Sequence, residues 1–190
     1  MSGLKKMKAL YKTSRRDQGK SILFSEKVLA GLTEAVSSHS TLGCRRGCAH
    51  CCYLRVEAYD FEIDAITYYI KTKLNEQTRN TINTAIGVQY ESIRKMTIEQ
   101  HFHTNIKCPL LVNNTCSVYA VRPISCAAYH SLSENACQRS NEDPYDSSFP
   151  IPQVPGIERL KTDMHRFIQD DLHEEGPTEM ISQLYLKLHA

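Results

Sequence analysis

The chain has 190 residues, of which 41% are hydrophobic and 23% charged, with a formal net charge of +2. That length suits one domain with room for a hydrophobic core, and the composition excludes a disordered, fibrous or collagen-like chain. With Lys+Arg at 23 against Asp+Glu at 21, bulk charge names no partner, and a nucleic-acid partner is not expected.

From the N-terminus, Lys5, Lys6, Lys8, Lys12, Arg15, Arg16 and Lys20 face only one acid, Asp17. This pattern predicts a basic arm over 1–20, solvated and partly disordered. No apolar run reaches the length of a secretory signal core or a membrane span, so a cytoplasmic chain without membrane contact is expected. From Ser21 to Ser38, Ile22, Val28, Leu29, Leu32, Ala35 and Val36 recur at helical spacing. Past a cysteine-rich stretch, "YLRVEAY" reads as an extended connector. Asp60 is the expected N-cap of a helix over Phe61–Asn75, carried by Ile63, Ile66, Tyr69, Ile70 and Leu74. A further helix is predicted from Glu76 to Met96, with a short turn or helix over Thr97–Phe102. "CPLLVNNTCSVYAVRPISC" then breaks the period: Asn113-Asn114 reads as a turn, and Pro109 and Pro123 oppose a long helix.

"NEDPYDSSFPIPQVPG" holds four of the seven prolines and reads as a surface loop over 141–156. Ile157, Leu160, Met164, Phe167, Ile168 and Leu172 then form one apolar stripe, and Pro177 suits the first turn of a last helix. The fold class expected is mostly α, a helical single domain with an irregular cysteine-rich metal-binding centre. Its parts are the arm over 1–20, a cysteine-cluster domain over 21–140, the proline-rich loop, and C-terminal helices over 157–190 packing on the same domain.

The eight cysteines are Cys44, Cys48, Cys51, Cys52, Cys108, Cys116, Cys126 and Cys137. In a secreted chain they would imply disulfides, whereas in a reducing compartment the same density points to metal binding or redox chemistry. The first cluster, "GCRRGCAHCC", could be a stripe of small core residues if helical. Gly43 and Gly47 weaken a helix there, and Arg45, Arg46 and His50 give no apolar continuation. Glycines beside thiols fit a backbone that turns around an ion. Cys108-Pro109, Cys116 and Cys126 form a second cluster, with Cys137 downstream. Folding back of the intervening helices would bring both clusters to one site. Side chains of the adjacent Cys51-Cys52 pair are expected to diverge, one ligating and the other bridging, outside the ligand set, or free. His50 could ligate but reads as an outer or solvent residue, and His130 is the best candidate outside the cysteines.

The box "CRRGCAHCC" followed by "CPLL" and "CSVYAVRPISC" resembles the YkgJ-type cysteine-cluster proteins, a zinc- or iron-chelating family. The resemblance spans about Gly43 to Tyr129. It implies that Cys44, Cys48, Cys51, Cys52, Cys108, Pro109, Cys116, Tyr119, Arg122, Pro123 and Cys126 occupy the family's motif positions. Ala127 stands where members often carry arginine. Flagellin lysine methylases share a similar box, but 190 residues are expected to be too few for their additional regions, so their activity is not carried over. The spacing C-x3-C-x2-C is also that of radical S-adenosylmethionine enzymes, whose strand–helix alternation is absent here.

An all-thiolate set suits zinc or an iron–sulfur cluster. No second Cys-x2-Cys pair of the closed zinc type is present, so an iron–sulfur cluster is preferred over Zn2+ as cofactor, which would suit a redox step with a redox partner that the sequence does not name. The alternative is a structural zinc module acting as a protein or nucleic-acid interaction domain. Around the eight cysteine ligands, Arg122 would offset thiolate charge or fix its loop, Tyr119 would pack on the site, and His130 would lie beside it. Nothing singles out one thiol as a nucleophile, so whether the chain is an enzyme stays open.

Overall fold

Apolar periodicity and capping side chains account for most of the helices. The computed structural model describes residues 3–45, 47–146, 148 and 150–189. Among them are nine α-helices: α1 (Gly3–Ser14), α2 (Gln18–Ser37), α3 (Asp60–Lys73), α4 (Glu76–Ile93), α5 (Ile98–Phe102), α6 (Ile124–Ala128), α7 (Glu134–Glu142), α8 (Pro155–Arg166) and α9 (Met180–His189). The mostly helical class holds. α2 starts where Asp17 accepts from the Gly19 N–H at 2.9 Å, and α4 where Asn75 accepts from the Thr78 N–H at 2.9 Å. α5 starts with Thr97 and Gln100 capping each other's backbone. In each case a short polar side chain satisfies an N–H that the helix leaves without a partner.

Four two-residue strands complete the frame. β1 (Glu57–Ala58) pairs antiparallel with β4 (Thr178–Glu179), and β2 (Leu111–Val112) with β3 (Thr115–Cys116). The second pair is a hairpin whose turn residues Asn113 and Asn114 have φ of 50° and 54°. Both lie in the left-handed region that asparagine tolerates and two-residue hairpins require.

Two apolar clusters form the core. One joins α3, α4 and α9 through Ile63, Ile66, Ile70, Ile82, Ile86 and Leu184, and Cys108 and Cys116 pack against it. The other joins α2, α6 and the segment after α8 through Phe24, Leu32, Phe61, Ile124, Ala128 and Ile168. α3 contributes to both, so the cysteine segments 108–116 and 126 are held against neighbouring parts of one body.

Three local expectations are corrected. The basic N-terminal stretch is not a solvated leader. Met7, Leu10 and Tyr11 recur at helical spacing among the lysines and pack on the second cluster. Its charges meet carboxylates, Lys8 with Asp171 at 2.8 Å and Arg15 with Asp60 and Asp64 at 2.6 and 2.9 Å. Asp60 is not the cap of α3 but its first helical residue. Glu62 secures that helix start instead, accepting the Tyr59 N–H at 2.8 Å. Pro177 lies before α9 rather than in its first turn. Glu179 caps α9, its two oxygens accepting from the N–H groups of Ile181 and Ser182 at 2.9 and 2.7 Å. No helix among the described residues is long and apolar enough to cross a membrane.

Candidate metal centre

The first cysteine box is not helical through its length. Gly43 runs against the start of α7: its N–H donates to the Ser131 carbonyl at 2.8 Å. A Cβ there would lie 2.8 Å from the Glu134 nitrogen. Only glycine permits that approach of two backbones. Gly47 has φ +87° and turns the chain, after which the Cys48 N–H donates to the Arg45 carbonyl at 3.0 Å. The two glycines therefore have different reasons, a close contact and a turn. A single 3-10 turn, His50–Tyr53, carries the adjacent pair. The neighbouring Cys52 side chain, followed by burial, pushes the Cys51 thiol far up.

The second cluster docks on this turn by main-chain hydrogen bonds. The Cys108 N–H donates to the Cys52 carbonyl at 2.7 Å, and the Ile106 N–H to the Tyr53 carbonyl at 3.1 Å. The hairpin then returns Cys116 opposite Leu111. α6 brings Cys126, and its start is fixed from below by Glu62, which accepts the Ile124 N–H at 2.7 Å. Glu62 thus caps two helices at once. Its desolvation in the core pushes its pKa up to about 7, against the lowering effect of those two N–H donors.

The charge of Cys51 bears on Cys108, Cys116 and Cys126. Burial pushes Cys108 up to about 12, with the charges of Cys116 and Cys51 adding to it. Cys126 is raised well above the usual thiol value by burial, then by Cys108, Cys51 and Cys116. Cys116 is raised by burial too, while Arg122 works against the shift. Buried sulfurs raised in this way are stable as neutral thiols or as thiolates around a cation, but not as bare thiolates. Their donor set fits zinc or an iron–sulfur cluster.

A second group forms beside the first. Burial raises the Cys44 thiol, and Cys48, Cys51 and Cys137 add to it. Burial likewise raises Cys137, with Cys48, Cys51 and Glu134 contributing. α7 supplies Cys137 and Glu134, and its Asn141 side chain donates to the His50 carbonyl at 3.1 Å. One ligand atom each from Cys48, His50 and Glu134 lie within 4.8 Å of one another. Glu134 also pairs with Arg45. Glu134 escaped sequence reading, though its place one helical turn before Cys137 puts both on the same face.

Arg122 is buried, donates to the Tyr119 carbonyl at 2.8 Å, and lies 3.7 Å over the Tyr119 ring. It therefore ties its loop together while its charge lowers Cys51 and Cys116. Tyr119 is 60% exposed and faces Arg122 rather than packing inward. His130 is fully buried. Its Nδ1 meets the Ala128 carbonyl at 2.7 Å and its Nε2 accepts the Val154 N–H at 2.6 Å. Both ring nitrogens are spent on backbone, so His130 staples the proline-rich loop to the segment whose Ser131 carbonyl lies 3.9 Å from Cys44 Sγ. All eight cysteines are free thiols.

Residues 43–145 match the model of a family named CxxCxxCC and described as "Putative zinc- or iron-chelating domain". The match covers just over half of the chain. The chain belongs to the CxxCxxCC family. Chelation of zinc or iron is thereby the coarse assignment of this domain, and the matched span includes every cysteine of both clusters as well as His50, Arg122 and Glu134. This CxxCxxCC member departs from the name by one residue, since three residues rather than two separate Cys44 from Cys48. No curated protein and no solved structure matches the chain.

Proposed function

We propose that this CxxCxxCC protein holds an iron–sulfur cluster on the thiolates of Cys51, Cys108, Cys116 and Cys126, and that the cluster serves electron transfer or a redox step. The observation that supports this reading is the docking of the second cysteine segment on the first, the Cys108 N–H donating to the Cys52 carbonyl at 2.7 Å, with the charge of Cys51 adding to the rise of Cys108, Cys116 and Cys126. Four thiolates are the usual ligand set of such clusters. In this reading the neighbouring Cys52 thiol stays outside the ligand set, and Arg122 adds positive charge near Cys51 and Cys116. Both would tune the potential of the centre. Eight unpaired thiols fit a reducing compartment, and we assign the chain to the cytoplasm on that ground.

The test is purification without oxygen. Brown protein with visible charge-transfer absorption, and iron together with acid-labile sulfide, is the expected result. Cys116→Ser and Cys126→Ser should lose the colour and unfold at lower temperature, because metal binding contributes directly to folding. Colourless protein with stoichiometric zinc would overturn the cluster and leave a structural zinc module.

A further inference from the structure

We infer that this domain carries two metal sites rather than one: beside the four-thiolate centre, a mixed site in which Cys48 Sγ, an imidazole nitrogen of His50 and a Glu134 carboxylate oxygen bind a single zinc-like divalent ion. The inference deepens the reading above and rests on it for the identity of the first centre only. The three donor atoms come from two separate segments, the turn after Gly47 and the first residue of α7, and already lie within 4.8 Å of one another. Ligands around one zinc ion stand roughly 3.3–3.8 Å apart, given zinc–ligand lengths of about 2.0–2.3 Å. Rotamer adjustment of His50 and Glu134, whose side chains are 28% and 32% exposed, closes that gap.

The backbone is built for this meeting. Gly43 allows its strand to touch the α7 start, Ser133 caps α7 by accepting the Ala136 N–H at 3.2 Å, and Asn141 holds the His50 carbonyl. The chemistry of the donors separates this site from its neighbour. One sulfur, one nitrogen and one oxygen suit a single borderline ion, whereas an iron–sulfur cluster calls for thiolates. Three protein ligands leave a fourth position open, the pattern of a site that exchanges its ion or binds a further small ligand. Arg45 pairs with the Glu134 carboxylate. Its guanidinium is 67% exposed and free to swing away when a cation replaces it. One narrow crevice is lined by His50 and Cys137 together with Cys51.

The full chain, purified without oxygen and dialysed against a weak chelator, is titrated with Co2+ while the four-thiolate centre is followed by its own absorption or metal content. Wild type should take up one Co2+ beyond the metal of that centre, with a sulfur-to-cobalt charge-transfer band. His50→Ala and Glu134→Gln should bind this Co2+ at least tenfold more weakly and keep the other centre unchanged. Glu134→Gln is a surface substitution, so its loss of Co2+ cannot be ascribed to unfolding if the melting temperature holds. Cys116→Ser should do the reverse, losing the four-thiolate centre and keeping the Co2+ of the mixed site. Unaltered Co2+ binding by both His50→Ala and Glu134→Gln, or no extra Co2+ in the wild type, would overturn the second site. A colourless wild type that still shows the His50- and Glu134-dependent Co2+ overturns only the cluster proposed above.

Discussion

Glu62 shows how one side chain can decide the placement of a site it does not enter. It is 3% exposed, and its two oxygens accept N–H groups from the starts of α3 and α6, the second of which carries Cys126. In the unfolded chain it ionises near its ordinary value of 4.5, whereas in the fold it keeps its proton up to about pH 7. Between those values the native state binds the extra proton, so the stability it lends is complete below about pH 4.5 and is lost as pH rises through 7. The slope is at most about 1.4 kcal/mol per pH unit. Glu62→Gln removes the titration. The melting temperature of wild type minus that of Glu62→Gln should therefore fall steadily from pH 5 to pH 8. A difference that grows with pH would mean that the two N–H donors hold the carboxylate ionised and that burial has been overestimated as the dominant effect. Nothing in the sequence marks Glu62, because both of its partners are backbone groups and one lies 62 residues away.

At the scale of elements, α2, α3 and α4 were legible because each has a long apolar period. α1 was misread because seven basic residues hide Met7, Leu10 and Tyr11, and the carboxylates that neutralise them come from distant elements. The pairing of β1 with β4 joins segments with no local sign of each other. The β2–β3 hairpin is the opposite case, since Asn113-Asn114 announces it. Its turn sets where Cys116 returns, so the turn residues act on the metal centre through geometry. Asn114 at φ 54° is replaced by glycine without strain, whereas a β-branched residue there costs on the order of 1–2 kcal/mol. Asn114→Gly should keep both stability and metal content. Asn114→Val should unfold at lower denaturant and hold its metal more weakly, as read by urea titration under reducing conditions and by competition with a chelator. Equal behaviour of the two variants would show that turn strain does not govern the position of Cys116.

For the molecule as a whole, cysteine type and density pointed to a metal-chelating domain, but the return of α7 to the first box had no local sign. It brings Glu134 close to Cys48 and His50, and Gly43 lets the backbones touch. The same long-range logic binds the two ends of the chain to its middle. Arg15 pairs with Asp60 and Asp64 and lies 3.9 Å from Glu174, while Lys187 of α9 reaches Asp60 at 2.8 Å and also meets Asp64. Tyr11 of α1 hydrogen-bonds to Glu174. The Asp60 pKa is lowered, since its hydrogen bonds to Lys187 and Arg15 outweigh the burial that would raise it. Its contribution is therefore present above the ordinary carboxylate range and is lost as pH falls through the depressed value. These groups are partly exposed, so each pair contributes only about 0.2–1 kcal/mol, and salt weakens it. Arg15→Ala removes three such partners at once and leaves Asp60 and Asp64 to Lys187 alone. A loss of roughly 1–2 kcal/mol in dilute buffer is expected, shrinking in 1 M NaCl, when thermal unfolding is followed at both ionic strengths. A loss of the same size in both would mean that the Arg15 stem holds α1 by packing, and that the termini are fastened by the apolar contacts of Met7, Leu10 and Tyr11 rather than by charge.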